Sequence, residues 1–202
     1  MKIYDITQEV FSCNVFPGDT GPSYKQVAAI KDGAVCNLST IEMGVHNGTH
    51  LDAPWHFIDE GKKIDEIDLE KCVGPAIVIQ AAGDIEAMTI RRLYDDNPAA
   101  ERILFKGDCR LTLNGAKELI RLGAKLIGVE AQSVSSNEDP VPVHNELLSN
   151  EIVILEGLEL GKVPESNSET KYFLVAAPLK LGGRDGSPCR AILINMKNCR
   201  LP

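Results

Sequence analysis

The feature that most restricts the fold is a recurring series of short strand-like runs, at residues 2–6, 39–43, 76–80, 103–106, 126–129, 152–155, 172–176 and 191–195. They are β-branched or aliphatic and bounded by Gly, Pro, Asn or Asp, the pattern of strands between turns. Helical periodicity is rarer. Over 114–122, Ala116, Leu119, Ile120 and Leu122 share an apolar face, and Gly123 supplies a stop. Shorter helices are expected at 89–94 and at 142–149, where Pro142 falls in a first turn that tolerates proline. Many strands and few helices predict an α/β or α+β domain with a mixed sheet. Segment 107–129 reads as strand, turn, amphipathic helix and buried strand, a βαβ crossover that pairs its strands in parallel. No G-x-G-x-x-G or Walker sequence opens that helix, so a nucleotide cofactor is not indicated.

The chain has 202 residues, enough for one large domain spanning 1–202 with a core that needs no staple. Its 44% hydrophobic and 25% charged residues argue against disorder. The net charge is -8, and basic residues come singly or in pairs such as Lys62-Lys63 and Arg91-Arg92, so nucleic acid is a poor partner. The start, Met1-Lys2-Ile3-Tyr4-Asp5, lacks the apolar run of a signal peptide. No stretch approaches the ~18 apolar residues of a membrane span. A cytoplasmic protein with no membrane partner is expected. The six cysteines (Cys13, Cys36, Cys72, Cys109, Cys189, Cys199) form no C-x2-C pair and are expected to be reduced, buried small hydrophobes.

All four histidines fall into one pattern. Three lie in His46-Asn47-Gly48-Thr49-His50-Leu51-Asp52-Ala53-Pro54-Trp55-His56, and the fourth is His144. Imidazole is the commonest metal ligand and a proton shuttle near neutral pH. Gly48 and Pro54 argue against a helix here, and Asn47 excludes H-E-x-x-H. In an extended segment His50 and Asp52 point the same way, and Gly48 lets the backbone bend so that His46 joins them. Two imidazoles and a carboxylate leave room for water, as in catalytic zinc sites. Zn2+ is the first expectation and Mn2+ the alternative. His56 is read as a proton-transfer group beside the metal, with a fourth ligand as the other reading. His144, at a helix start, and Glu156, at a strand end before Gly157, are placed where α/β sheets build sites. Taken alone, His144 would pass as a structural residue, Glu156 as a strand terminus and Asp19 as a turn residue. Trp55 reads equally as core or substrate wall.

These residues resemble the cyclase family of metal-dependent hydrolases, which includes bacterial kynurenine formamidases and isatin hydrolases. The likeness extends beyond H-x-G-T-H-x-D-A-P-x-H. It takes in Tyr4-Asp5-Ile6-Thr7 with Phe16-Pro17-Gly18-Asp19, and His144 with Leu147-Leu148 and Ile154-Leu155-Glu156-Gly157-Leu158. It ends with Pro178-Leu179-Lys180 and Gly183-Arg184-Asp185-Gly186-Ser187-Pro188-Cys189-Arg190-Ala191. The resemblance implies a swivelling β/β/α fold and a homodimer or homotetramer with sites near the subunit interface. It implies a first metal on His46, His50 and Asp52, a second on Asp52, His144 and Glu156 in two-metal members, and His56 as catalytic acid/base. Two departures stand near the expected substrate pocket. Glu130 and Gln132 occupy a segment where formamidases commonly read G-I-D-x-P-S, and Phe16 replaces a frequent Trp.

The expected activity is hydrolysis of an amide-type C–N bond by a metal-activated water, with an aryl formamide of the N-formylkynurenine type as the small-molecule substrate. Ring opening of a cyclic amide or lactone is the alternative. A non-catalytic metal- or ligand-binding protein on the same scaffold is a third reading. A cysteine-dependent hydrolase is a fourth, with no cysteine motif to support it.

Overall fold

The computed structural model describes every residue except 98–99, 137, 168–170 and 197–202. In chain order the strands are β1 (Lys2–Asp5), β2 (Ser23–Ala28), β3 (Leu38–Glu42), β4 (His50–Asp52), β5 (Val73–Gln80), β6 (Gly83–Ile85) and β7 (Arg102–Lys106). They continue with β8 (Cys109–Leu111), β9 (Leu126–Val129), β10 (Val153–Glu156), β11 (Tyr172–Val175), β12 (Gly186–Pro188) and β13 (Ile192–Asn195). The α-helices among the described residues are α1 (Leu69–Cys72), α2 (Ala87–Asp96), α3 (Leu113–Arg121) and α4 (Val141–Ser149).

The main sheet has nine strands in the order β1-β13-β11-β5-β7-β9-β10-β4-β12. Its middle, β5-β7-β9-β10, is parallel, and both wings are antiparallel. The expected mixed sheet with few helices is therefore present. The predicted crossover is present too, because α3 links β7 to its parallel neighbour β9.

Side-chain alternation builds two cores on the two faces of this sheet. Leu104, Leu126, Val153 and Leu155 point to one face, with Ile6, Leu51, Tyr172 and Leu193. Ile103, Phe105, Ile127 and Ile154 point to the other, under Ile90 and Leu93 of α2, Leu119 of α3 and Leu147 of α4. Helix α3 begins at Thr112, whose hydroxyl accepts from the Gly115 N–H at 3.1 Å and caps the first turn.

Several elements escape the sequence pattern. Strand β2 has no apolar face turned to a core: it is exposed almost throughout and, among the described residues, pairs only with β3. Strand β12, Gly-Ser-Pro, has little strand propensity and is extended because β4 lies beside it. Strands β6 and β8 are three residues each, and α1 is a single turn. Helix α2 runs two residues beyond 89–94 at each end, and its buried residues, Ile90, Leu93 and Tyr94, lie within the expected stretch.

The cysteine expectation needs correction. Cys72, Cys109 and Cys189 are buried, but Cys13 is half-buried and Cys36, in the turn between β2 and β3, is exposed. The turn has no core to cover it. Cys199 lies outside the described residues.

Candidate metal centre

Strand β4 carries the centre because it is held between two partners. Against β10, His50 lies opposite Glu156 and Asp52 opposite Ile154. Against β12, His50 lies opposite Pro188 and Asp52 opposite Gly186. Just before β4, Gly48 adopts φ +67°, a left-handed turn that glycine accepts without strain. Thr49 then anchors the entry, its hydroxyl donating to the Gly157 carbonyl and accepting from the Gln8 N–H. Gly157, at φ +68°, leaves no room for a side chain, since a Cβ there would sit 2.4 Å from the Gly48 carbonyl oxygen.

Asp52 is the hub. Its Oδ1 lies 2.9 Å from His46 Nδ1 and 3.5 Å from His50 Nε2. Its Oδ2 lies 3.8 Å from His144 Nε2, beyond hydrogen-bond range, and has no hydrogen-bond partner among the described residues although it is buried. Glu156 closes the ring. Its Oε2 is 3.5 Å from His50 Nε2, and its Oε1 is 3.4 Å from His144 Nε2 while accepting from the Val134 N–H at 2.6 Å. His144 arrives from the first turn of α4, where its Nδ1 meets the Pro140 carbonyl at 2.8 Å. His50 Nδ1 meets the Gly48 carbonyl at 2.9 Å. Carbonyl oxygens only accept, so both rings carry Nδ1–H and turn Nε2 inward.

His56 sits in a short 3₁₀ turn, Pro54–His56, that follows β4. Its ring stacks on His46 with centroids 4.0 Å apart, and its Nδ1 is 3.6 Å from Asp185 Oδ2. The donor atoms fall into two clusters, each lying within 4.8 Å: His46, Asp52 and His56; and His50, Asp52 and Glu156. All six residues named from the sequence thus meet in one place. A seventh residue, Asp185 of the segment 183–191, joins them, its Oδ2 lying 2.8 Å from His46 Nε2.

The electrostatics are those of cationic and anionic groups crowded out of water. Burial lowers the pKa of His50, but the Asp52 and Glu156 carboxylates outweigh it and raise the pKa to about 10. Burial likewise opposes charge on His46, and Asp52 with Asp185 reverses it, for a net rise. In His144 burial is overcome by Glu156 and Asp52. Burial would raise Asp52, yet His46 and His50 hold it well below the usual carboxylate range. His56 is the exception: burial dominates and its pKa is lowered. A buried carboxylate oxygen without a partner is costly. Here it is surrounded by inward-facing imidazole nitrogens and a second carboxylate. That donor set fits a divalent cation.

A cavity of about 380 Å³ opens over these groups. Asn14, Phe16 and Asp19 form one side, and Phe57, Gln132 and Ser133 contribute to the rest. Phe57 stacks on His144 at 4.5 Å. Phe16 and Gln132 therefore stand at the pocket, as their motif positions suggest. Glu130 does not: its carboxylate accepts from the backbone N–H groups of Gly107 and Leu160, at 2.7 Å each, and ties loops together. Trp55 is not among the lining residues, and its ring instead faces the Lys63 ammonium at 5.0 Å.

Residues 4–136 match the Cyclase family model. The chain belongs to the Cyclase family. The kynurenine formamidase of Bacillus cytotoxicus is 33% identical over 192 residues, spanning 88% of this chain and 90% of that one. The kynurenine formamidase of Salinibacter ruber is 32% identical over 210 residues, spanning 96% and 97%. Among solved structures, a potential metal-dependent hydrolase with cyclase activity matches with a TM-score of 0.79 at 29% identity, over 100% of this chain and 99% of that one. Isatin hydrolase A from Labrenzia aggregata, bound to benzyl benzoate, matches with a TM-score of 0.82 at 22% identity, over 95% and 93%. That last likeness is one of fold alone.

Proposed function

We propose that this protein is a metal-dependent hydrolase of a non-peptide amide C–N bond, and that its substrate is an aryl formamide of the N-formylkynurenine type. The observation that carries the reading is the partnerless, buried Asp52 Oδ2 within a ring of His50, His144 and Glu156. A cation there removes the cost of the orphaned oxygen. His46, His50 and Asp52 would hold one Zn2+, with Mn2+ the alternative, and Asp52, His144 and Glu156 a second. When bound, the metal polarises the scissile carbonyl and makes water acidic enough to attack near neutral pH.

The remaining work falls to the chain's own residues. His56, on the cavity wall, takes the proton of the attacking water and delivers it to the departing amine. Phe16 and Phe57 offer apolar faces to an aryl group. The kynurenine formamidase relatives support the formamide over other amides.

We also place the protein in the cytoplasm as a homodimer or homotetramer. Among the described residues no helix is long and apolar enough to cross a membrane. Tyr24, Val27, Leu38 and Ile41 are exposed on the β2–β3 hairpin, an apolar surface suited to a second copy of the chain.

The deciding experiment is the initial rate of N-formyl-L-kynurenine hydrolysis by metal-free protein, then by protein reconstituted with Zn2+ or Mn2+. Metal-dependent turnover at about 10^4 M^-1 s^-1 or above is expected. Metal-loaded protein that ignores the formamide but opens a cyclic amide or lactone would move the substrate. Metal-loaded protein inert toward all of them would make this a binding protein.

A further inference from the structure

His50 and His144 take their orientation from backbone. Each donates Nδ1–H to a carbonyl of its own segment, so each offers Nε2 to the centre. His46 is inverted. Its Nδ1 faces Asp52 at 2.9 Å, and its Nε2 faces a side chain, Asp185 Oδ2, at 2.8 Å. Asp185 is 139 positions away and stands just before β12.

The backbone around Asp185 is built for this approach. Its carbonyl accepts from the Ala53 N–H at 2.9 Å, just past β4. The neighbouring Gly186 lies opposite Asp52 and has no side chain to obstruct His46: a Cβ there would sit 2.6 Å from His46 Cε1 and 2.9 Å from the Leu51 carbonyl oxygen. The His46 ring therefore lies close over β12 with its Nε2 at the Asp185 carboxylate. The same Oδ2 stands 3.6 Å from His56 Nδ1, and the two imidazoles stack.

We propose that Asp185 is a positioning residue that fixes the Nε2–H tautomer of His46, so that His46 offers Nδ1 to the metal while His50 and His144 offer Nε2. The inference rests on reading His46 as a ligand. Both carboxylates only accept, so the metal-free ring is protonated toward each; once a metal takes the place of the proton facing Asp52, Asp185 holds the remaining one on Nε2 and leaves the Nδ1 lone pair for the metal. His46 is thus the one imidazole of the three whose tautomer depends on another side chain, and a single substitution can scramble it. Asp185→Asn keeps the backbone bond to Ala53 but presents either an amide oxygen or an NH2 group, and so admits both tautomers.

The test uses zinc-loaded protein labelled with 15N and long-range 1H–15N spectra of the imidazoles. Four histidines make eight ring nitrogens, few enough to assign by single substitutions. The expected pattern is metal-shifted Nδ1 with protonated Nε2 at His46, and the reverse at His50 and His144. Zinc affinity by chelator competition should fall about 10–100-fold in Asp185→Asn, with the His50 and His144 signals in place. Nε2 ligation by His46 in the native protein overturns the inference without any variant. So does an Asp185→Asn affinity within about threefold of native. Native protein that takes up no zinc overturns the metal reading itself, and the native titration separates that failure from the other two.

Discussion

Zinc binding should strengthen steeply with pH, by an amount the site geometry sets. In the metal-free protein the Asp52 and Glu156 carboxylates raise His50 to about 10, so at pH 7 its ring carries both protons. A ligand nitrogen must shed its proton before it binds metal. The proton that leaves faces Asp52 and Glu156, because Nδ1 is committed to the Gly48 carbonyl. One proton released per zinc makes affinity rise tenfold per pH unit, about 1.4 kcal/mol. From pH 6 to pH 8 that is about 100-fold for His50 alone. His46 and His144, whose pKa values are also raised, steepen the low-pH end.

The metal-free fold responds in the opposite sense. A histidine raised above its unfolded value contributes stability that is complete below about pH 6.5 and lost as pH climbs toward the folded pKa. The gap in melting temperature between zinc-loaded and metal-free protein should therefore widen from pH 6 to pH 8. The assays are chelator competition across that range and calorimetric titration in two buffers of different ionisation enthalpy, which counts protons directly. An affinity that changes less than threefold, or a release well under one proton, would refute the placement of zinc on His50.

Replacing His56 with Ala should lower kcat by about 10^2–10^4-fold, the usual reach of a proton-transfer group, while zinc affinity stays within a few-fold; loss of zinc would instead make His56 a ligand. Gly186→Ala should displace His46, because the new Cβ overlaps its Cε1, and zinc affinity measured by chelator competition should drop at least tenfold; the urea midpoint should fall as well, because the same Cβ meets the Leu51 carbonyl oxygen at 2.9 Å. Leu119→Ala, in the fully buried face of α3 away from the centre, should cost about 2–5 kcal/mol by urea unfolding with zinc affinity unchanged. Leu38→Glu together with Ile41→Glu should convert the assembly to monomers in sedimentation velocity; a native protein that is already monomeric at tens of micromolar would remove the hairpin as an interface.

The legible part of this protein is local. Short, continuous apolar runs exposed the strands that pack on both faces, because a strand buried between two layers must be apolar at successive positions, as in Leu126-Ile127-Gly128-Val129. The spacing of His50 and Asp52 placed them on one side of an extended segment, and β4 is such a segment. Strand β2 was hidden for the complementary reason: an exposed ribbon with one partner has no buried face to impose a pattern.

Some pocket assignments depended on which way a neighbouring residue turned. Glu130 and Gln132 are two apart in a loop, where no regular period relates one side chain to the next. One ties loops together and the other lines the cavity. Trp55 and Phe57 divide in the same way, the larger ring facing Lys63 and the smaller one stacking on His144.

The sequence by itself determined the chemistry on offer, four imidazoles with Asp52 and Glu156 at spacings that suit a divalent cation, and the many short apolar runs with few helices that make a mixed sheet. Only the tertiary structure decided that β4 lies between β10 and β12, which sets His50 opposite Glu156 and brings Asp185 against His46 from 139 positions away. Side-chain periodicity is a property of neighbouring residues and is written in their order. Strand adjacency and register are set by long-range pairing and packing, and a carboxylate that orients a metal ligand is recognisable only once that pairing has brought the two together.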